Sequence, residues 1–119
     1  MWNWKTTIPS TKNLLIIDYN LEQYKLLYAK INLETAQIPW KELERFFAGG
    51  MVISVDENVD MIQVAQWMAS DDVAAISGML EKKEIQKVTD DQARIWSDSD
   101  AMLWAVVVKP WILVQQRRS

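Results

Sequence analysis

From Leu103 to Gln115 the chain reads Leu-Trp-Ala-Val-Val-Val-Lys-Pro-Trp-Ile-Leu-Val-Gln, its longest strand-forming run. β-Branched and aromatic side chains dominate it, and such residues fit a pleated, packed surface. In a strand the side chains alternate. Trp104 and Val106 then share one face, and Leu103, Ala105 and Val107 share the other. Both sets are apolar, so both faces require cover, one by helices and the other by a further helix or a second subunit. Pro110 cannot donate a ladder hydrogen bond, so the run bends, bulges or lies at an edge there. The alternation is therefore not carried on to Trp111.

A chain of 119 residues suits one domain and can bury a core without staples. Half of its residues are hydrophobic, which argues against disorder. It has no Cys, and so neither a disulfide framework nor a thiolate site. No segment approaches the ~18 apolar residues of a membrane span. Leu14-Leu15-Ile16-Ile17 is too short for the apolar part of a signal peptide. A soluble cytoplasmic protein is expected, with no membrane association.

Charge is unevenly spread. Residues 1–55 carry a net +1, residues 56–100 carry four basic and eleven acidic side chains, and the whole chain carries −3. The acidic middle repels phosphate backbones, so no nucleic acid is expected as a partner.

Taken in order, residues 1–19 read as an N-terminal extension with Trp2, Trp4 and the loop-like Pro9-Ser10-Thr11. Leu14–Ile17 could form a short strand. Asn20 and Gln23 match a capping box, and Tyr24, Leu27, Tyr28 and Ile31 line one face of a helix ending before Pro39. Pro39 opens a second helix carrying Trp40, Leu43 and Phe47, which Gly49-Gly50 terminates with a positive φ. Met51–Val55 is a short strand. Asp60 caps a third helix with Met61, Val64, Ala65 and Met68 inward. Asp71-Asp72 starts a fourth with Val73, Ile76 and Leu80 inward, in which Gly78 hints at close packing against a neighbour. Ile85–Val88 is a second short strand. Thr89 and Gln92 form a capping box opening a short helix that carries Ala93 and Trp96.

The order helix, helix, strand, helix, helix, strand, short helix, strand defines an α+β domain over residues 20–116, followed by a basic tail at 117–119. The segment from Met51 onward has the order of a winged helix. Helices at 60–69 and 72–83 would be its helix-turn-helix. Strands 85–88 and 103–115 would form its wing, with the helix at 90–97 inserted. The competing arrangement is a generic α+β domain with helices on one face of a small antiparallel sheet.

The available chemistry is narrow. The chain has no His, which removes imidazole acid–base catalysis, His-dependent triads and the usual zinc sets. No phosphate-cradling glycine loop exists. Asp56-x-Asn58-x-Asp60 opens like a calcium loop, but Met61 and Trp67 stand where Gly and Glu are required. The pairs Asp71/Asp72 and Asp98/Asp100 are explained by caps and turns, so no metal and no cofactor is expected. Arg94 could pair with Asp90 or Asp91 along its helix, or with Asp98.

Ile38-Pro39-Trp40-Lys41-Glu42-Leu43, Phe47-Ala48-x-Gly50, Asp71-Asp72, Asp91-Gln92-Ala93-Arg94-x-Trp96 and Leu103-Trp104-Ala105-Val106-Val107-Val108-x-Pro110-Trp111 together resemble a small bacterial family described only as a domain of unknown function. The likeness runs from about Tyr28 to Gln116. It implies one intact domain in a bacterial cytoplasm, and it brings no activity and no catalytic residues.

Seven Trp are the oddest compositional feature. Core packing explains Trp40, Trp96, Trp104 and Trp111, whereas a partly exposed aromatic cluster would mark a binding surface. The candidate interaction surface comprises Trp2, Trp4, Trp67, Trp96, Arg94, Asp98 and Asp100. Three functions compete. The first is a protein–protein interaction or regulatory module with an unknown protein partner, possible as a homodimer. The second is a winged helix on nucleic acid, opposed by the acids at the start of its fourth helix. The third is a carboxylate-based enzyme with no locatable site.

Overall fold

The computed structural model describes residues 17–117, as an α+β fold with one mixed sheet. Helix α1 spans Ile17–Glu34, strand β1 Ala36–Pro39, helix α2 Trp40–Ala48 and strand β2 Val52–Val55. Helices α3 (Met61–Ala69) and α4 (Val73–Glu81) precede strand β3 (Ile85–Lys87). Helix α5 (Asp90–Asp98) leads into strands β4 (Met102–Val108) and β5 (Trp111–Gln115). The sheet order is β1-β4-β5-β2-β3, with β2 and β5 parallel and the other neighbours antiparallel.

The run from Leu103 to Gln115 is therefore a hairpin rather than one strand. The turn at Lys109-Pro110, whose peptide bond is cis, brings Val108 opposite Trp111. The expected alternation holds along β4. Val106, with half-buried Trp104 and Val108, joins a core closed by α1, α3 and α4. Leu103 and Ala105 join a second core closed by α2 and α5. Helices thus cover both faces from within the chain, which meets the expectation of a further helix on the second face and corrects that of a one-sided helical layer. The first core buries Ile53, Met61, Val64, Ile76 and Leu113 completely. Each such side chain contributes about 1.5–3 kcal/mol of transfer free energy. The second is built on Trp40, which packs edge-to-face on Trp96 at 5.3 Å.

Two further expectations are corrected. The first helix begins at Ile17, so Asn20 lies inside it rather than capping it, and it ends at Glu34 rather than running to Pro39. Residues 36–39 form β1, paired with Leu103 and its neighbours, and Pro39 sits at the N-cap of α2. The wing pairing of 85–88 with 103–115 does not form: β3 neighbours β2, and β4 neighbours β1 and β5. What decides this is β2, which inserts between β3 and the hairpin by pairing parallel to β5. Leu14–Ile16, and with them most of the proposed N-terminal strand, lie outside the described residues.

The caps of α3, α4 and α5 behave as the spacing predicts. The Asp60 carboxylate accepts from the backbone N–H groups of Ile62 and Gln63 at 3.0 and 3.4 Å, Asp72 accepts from Ala75 at 3.1 Å, and Thr89 with Gln92 completes a reciprocal box. Helices α2 to α5 all end in the same way. The second residue past the cap donates back to the carbonyl five positions earlier: Met51 to Phe46, Asp72 to Trp67, Glu84 to Met79 and Ala101 to Trp96. This closure requires a left-handed residue just past the cap. Gly50 takes that conformation in α2, and Asp71, Lys83 and Asp100 take it in the others. Asp71 is therefore a helix stop, and Asp72 alone is the start of α4. Gly78 has nothing within 4 Å of where a Cβ would sit, so no close neighbour explains it.

Candidate functional site

Two openings flank the α2–α5 layer. The first is an apolar groove of about 520 Å³ between α2 and the sheet. Its floor holds Ala105, Val107 and Ile112, its walls Ile38 and Phe46, and Lys41, Glu42 and Arg45 line it as well. Val107 lies in register with Ile112 on the face where Leu103 and Ala105 are buried, yet it is 57% exposed. The guanidinium of Arg45 stands 4.7 Å over the Phe46 ring, so the cation rests on the apolar wall.

The second opening is a polar crevice of about 650 Å³ where the parallel strands β2 and β5 both end. Ser54, Asp56, Glu57, Gln92, Gln116 and Arg117 line it, with Trp96. Its floor is tied together: the Gln92 amide donates to Ser54 Oγ at 3.2 Å, and Trp96 Nε1 donates to Gln116 Oε1 at 3.1 Å. Its shape is held by Gln115, which is only 2% exposed. The Gln115 amide nitrogen donates to the carbonyls of Asp56 and Val59 at 2.7 and 2.6 Å, fastening the loop after β2 to the end of β5. Its Oε1 accepts from Arg117 Nε at 2.7 Å, while the Arg117 guanidinium lies 4.8 Å over Trp104. On the α1 side of the same loop, the Tyr28 hydroxyl donates to Asp60 at 2.7 Å. That hydrogen bond, with burial and the negative charge of Asp60, raises the Tyr28 pKa above 10.0.

Of the described residues singled out from sequence, Trp67 lies on the opposite face of the sheet from Arg94, Trp96, Asp98 and Asp100. Trp2 and Trp4 lie outside the described residues. Trp96 is buried against Trp40 and offers no exposed ring face; its indole nitrogen serves the crevice instead. Trp67 belongs to the opposite layer, half-buried beside the first core. Arg94, Asp98 and Asp100 are exposed on or just past α5. Arg94 pairs with Asp91 at 3.3 Å, the along-helix alternative. Both partners are highly exposed, so the pair is worth at most a few tenths of a kcal/mol. Ser54, Gln115 and Gln116 were missed. A polar residue within each of two otherwise apolar strands, Ser54 and Gln115, was the available signal.

Among the described residues no group of three or more Asp or Glu is placed to hold a metal ion. Nor is any helix among them long and apolar enough to cross a membrane. The fold thus defines a small α+β protein with helices on both faces of a mixed sheet, an apolar groove and a polar crevice among its openings. Residues 26–116 match the model of the family described as "Protein of unknown function (DUF2288)", and the chain belongs to that family. It is similar in structure to PA1075 from Pseudomonas aeruginosa, solved by NMR in solution. That likeness has 42% identity and a TM-score of 0.70, and covers 82% of this chain and 91% of that one. No curated protein matches the chain.

Proposed function

We propose that this is a cytoplasmic protein–protein interaction module whose docking surface is the groove between α2 and β4. The observation that carries this reading is Val107, an apolar residue 57% exposed in the floor of an apolar groove. Covering it would release water from Val107 and from the half-buried Ile38 and Phe46 together. The charges of Lys41, Glu42 and Arg45 around that apolar patch suit a partner segment with an aliphatic centre and polar flanks. The nucleic-acid alternative is disfavoured by the net −7 of residues 56–100.

The test is a photo-crosslinking amino acid placed at Val107, with the same group at exposed Ala74 in α4 as control. A defined adduct from position 107, absent from position 74 and lost on Phe46→Glu, supports the reading. An adduct of twice the chain's mass identifies the partner as a second copy. No adduct, or the same adducts from both positions, overturns it.

A further inference from the structure

We infer that the partner segment taken by the groove is an extended strand, which adds to the open edge of β4 at Val107 through main-chain hydrogen bonds. This rests on the reading of the groove as a docking surface and names the backbone form of what docks there. In an antiparallel ladder each residue turns both its N–H and its C=O to one side, and successive residues alternate. Two backbone bonds fix the phase of that alternation. The Ile112 N–H donates to Met51 on the β2 side at 2.9 Å, so Trp111 and Leu113 turn toward β4, where they face Val108 and Val106. The Trp40 N–H donates to Ala101 at 2.9 Å, so Ala101, Leu103, Ala105 and Val107 turn toward β1. β1 reaches only to Ala36, opposite Ala105. Among the described residues no strand pairs with β4 on that side at Val107, so its N–H and C=O point to an open edge.

A donor and an acceptor on one residue are satisfied together by one residue of an antiparallel strand. The side chain of that residue falls on the same face as Val107, in the groove lined by Ile38 and Phe46, where an aliphatic group suits it. Charges of opposite sign bound the edge. Exposed Lys109 follows β4, and exposed Glu34 lines the groove just before β1 begins. A strand antiparallel to β4 runs from Lys109 toward Glu34, so the segment that fits carries an acid, an aliphatic residue and a base in that order. A second copy of β4 does not fit. Paired about Val107, its Lys109 would lie opposite Ala105, a place that Ala36 already holds. The outer strands are guarded against such addition: β1 ends in Pro39, which has no N–H, and β3 is three residues long and ends in Lys87.

The test begins with amide hydrogen exchange in the full chain alone. The Val107 amide should exchange about tenfold faster than those of Val106 and Val108, which bond to β5. A protected Val107 amide overturns the inference: protection lost on dilution marks a second copy on the edge, and protection that persists marks a segment of the same chain. Random heptapeptides displayed on phage are then selected on the protein, and the selected peptides are synthesised. They should carry the acid, aliphatic and base order and protect the Val107 amide when bound. N-methylation of the central aliphatic residue should weaken binding about tenfold, the loss of one hydrogen bond, whereas N-methylation of either neighbour should not. Selection that yields no peptide protecting Val107 overturns the inference, and the adduct test at Val107 decides separately on the groove. Peptides with aliphatic residues at helical spacing, bound in the groove and indifferent to N-methylation at that position, overturn the strand and leave the docking surface standing.

Discussion

Gln115 makes three hydrogen bonds from a position at the end of an otherwise apolar strand, and it is buried. Gln115→Leu fits the same space but strips the Asp56 and Val59 carbonyls of a shared donor. An unsatisfied buried acceptor costs roughly 1–3 kcal/mol. We expect a loss of that size in urea denaturation, with faster amide exchange confined first to residues 56–60. Tyr28 offers a pH-dependent counterpart. Its pKa is raised in the folded state by the hydrogen bond to Asp60, so its contribution is present below pH 10.0 and is lost as pH rises through the folded value. Tyr28→Phe should cost about 0.5–1.5 kcal/mol near neutrality. The gap between parent and variant should stay level up to the unfolded pKa and shrink above it. A gap that widens with alkalinity would mean the hydroxyl is not the donor.

At the scale of elements, the four nine-residue helices share one stop, and only α2 uses glycine for it. A left-handed conformation costs a residue with a Cβ about 1–2 kcal/mol. Lys83→Gly should therefore stabilise the protein, by about 0.5 kcal/mol once the greater freedom of glycine in the unfolded chain is set against it. Gly78 is the opposite case, a glycine inside α4 with open space where its Cβ would sit. Gly78→Ala should stabilise by about 0.5–1 kcal/mol, read as a higher denaturation midpoint. A loss instead would show that α4 has a neighbour in the native assembly. These helix ends were legible only in part. Asp71-Asp72 was visible as a boundary, but the division of labour between a stop at Asp71 and a start at Asp72 rests on φ, which composition does not encode.

At the scale of the whole molecule, Val106 and Val107 are adjacent in sequence and opposite in fate, 2% and 57% exposed. Val106→Asp places a charge in the core closed by α1, α3 and α4 and should unfold the protein. Val107→Asp should change stability by no more than about 0.5 kcal/mol, as surface substitutions do. The contrast, measured by circular dichroism and thermal melting, separates the core from the exposed floor of the groove within one strand.

The same division runs through the chain. Amphipathic spacing, caps and alternation in 103–108 are local, repeating every two to four residues, so the sequence alone determined the helices at 40–48, 61–69, 73–81 and 90–98 and the two faces of β4. It also determined the absence of imidazole and thiolate chemistry. Tertiary structure decided the rest. β1 has only Ile38 as a strong strand former among its four residues, and it exists because β4 offers it hydrogen bonds from far along the chain. The parallel pairing of β2 with β5 likewise joins segments separated by two helices, a strand, a third helix and the β4 strand, and it displaced the expected wing. That pairing also puts the ends of two strands side by side and so creates the polar crevice. Whether Val107 was covered depended on how far α2 reaches over the sheet, which no local pattern encodes, because burial belongs to the atoms that arrive from elsewhere.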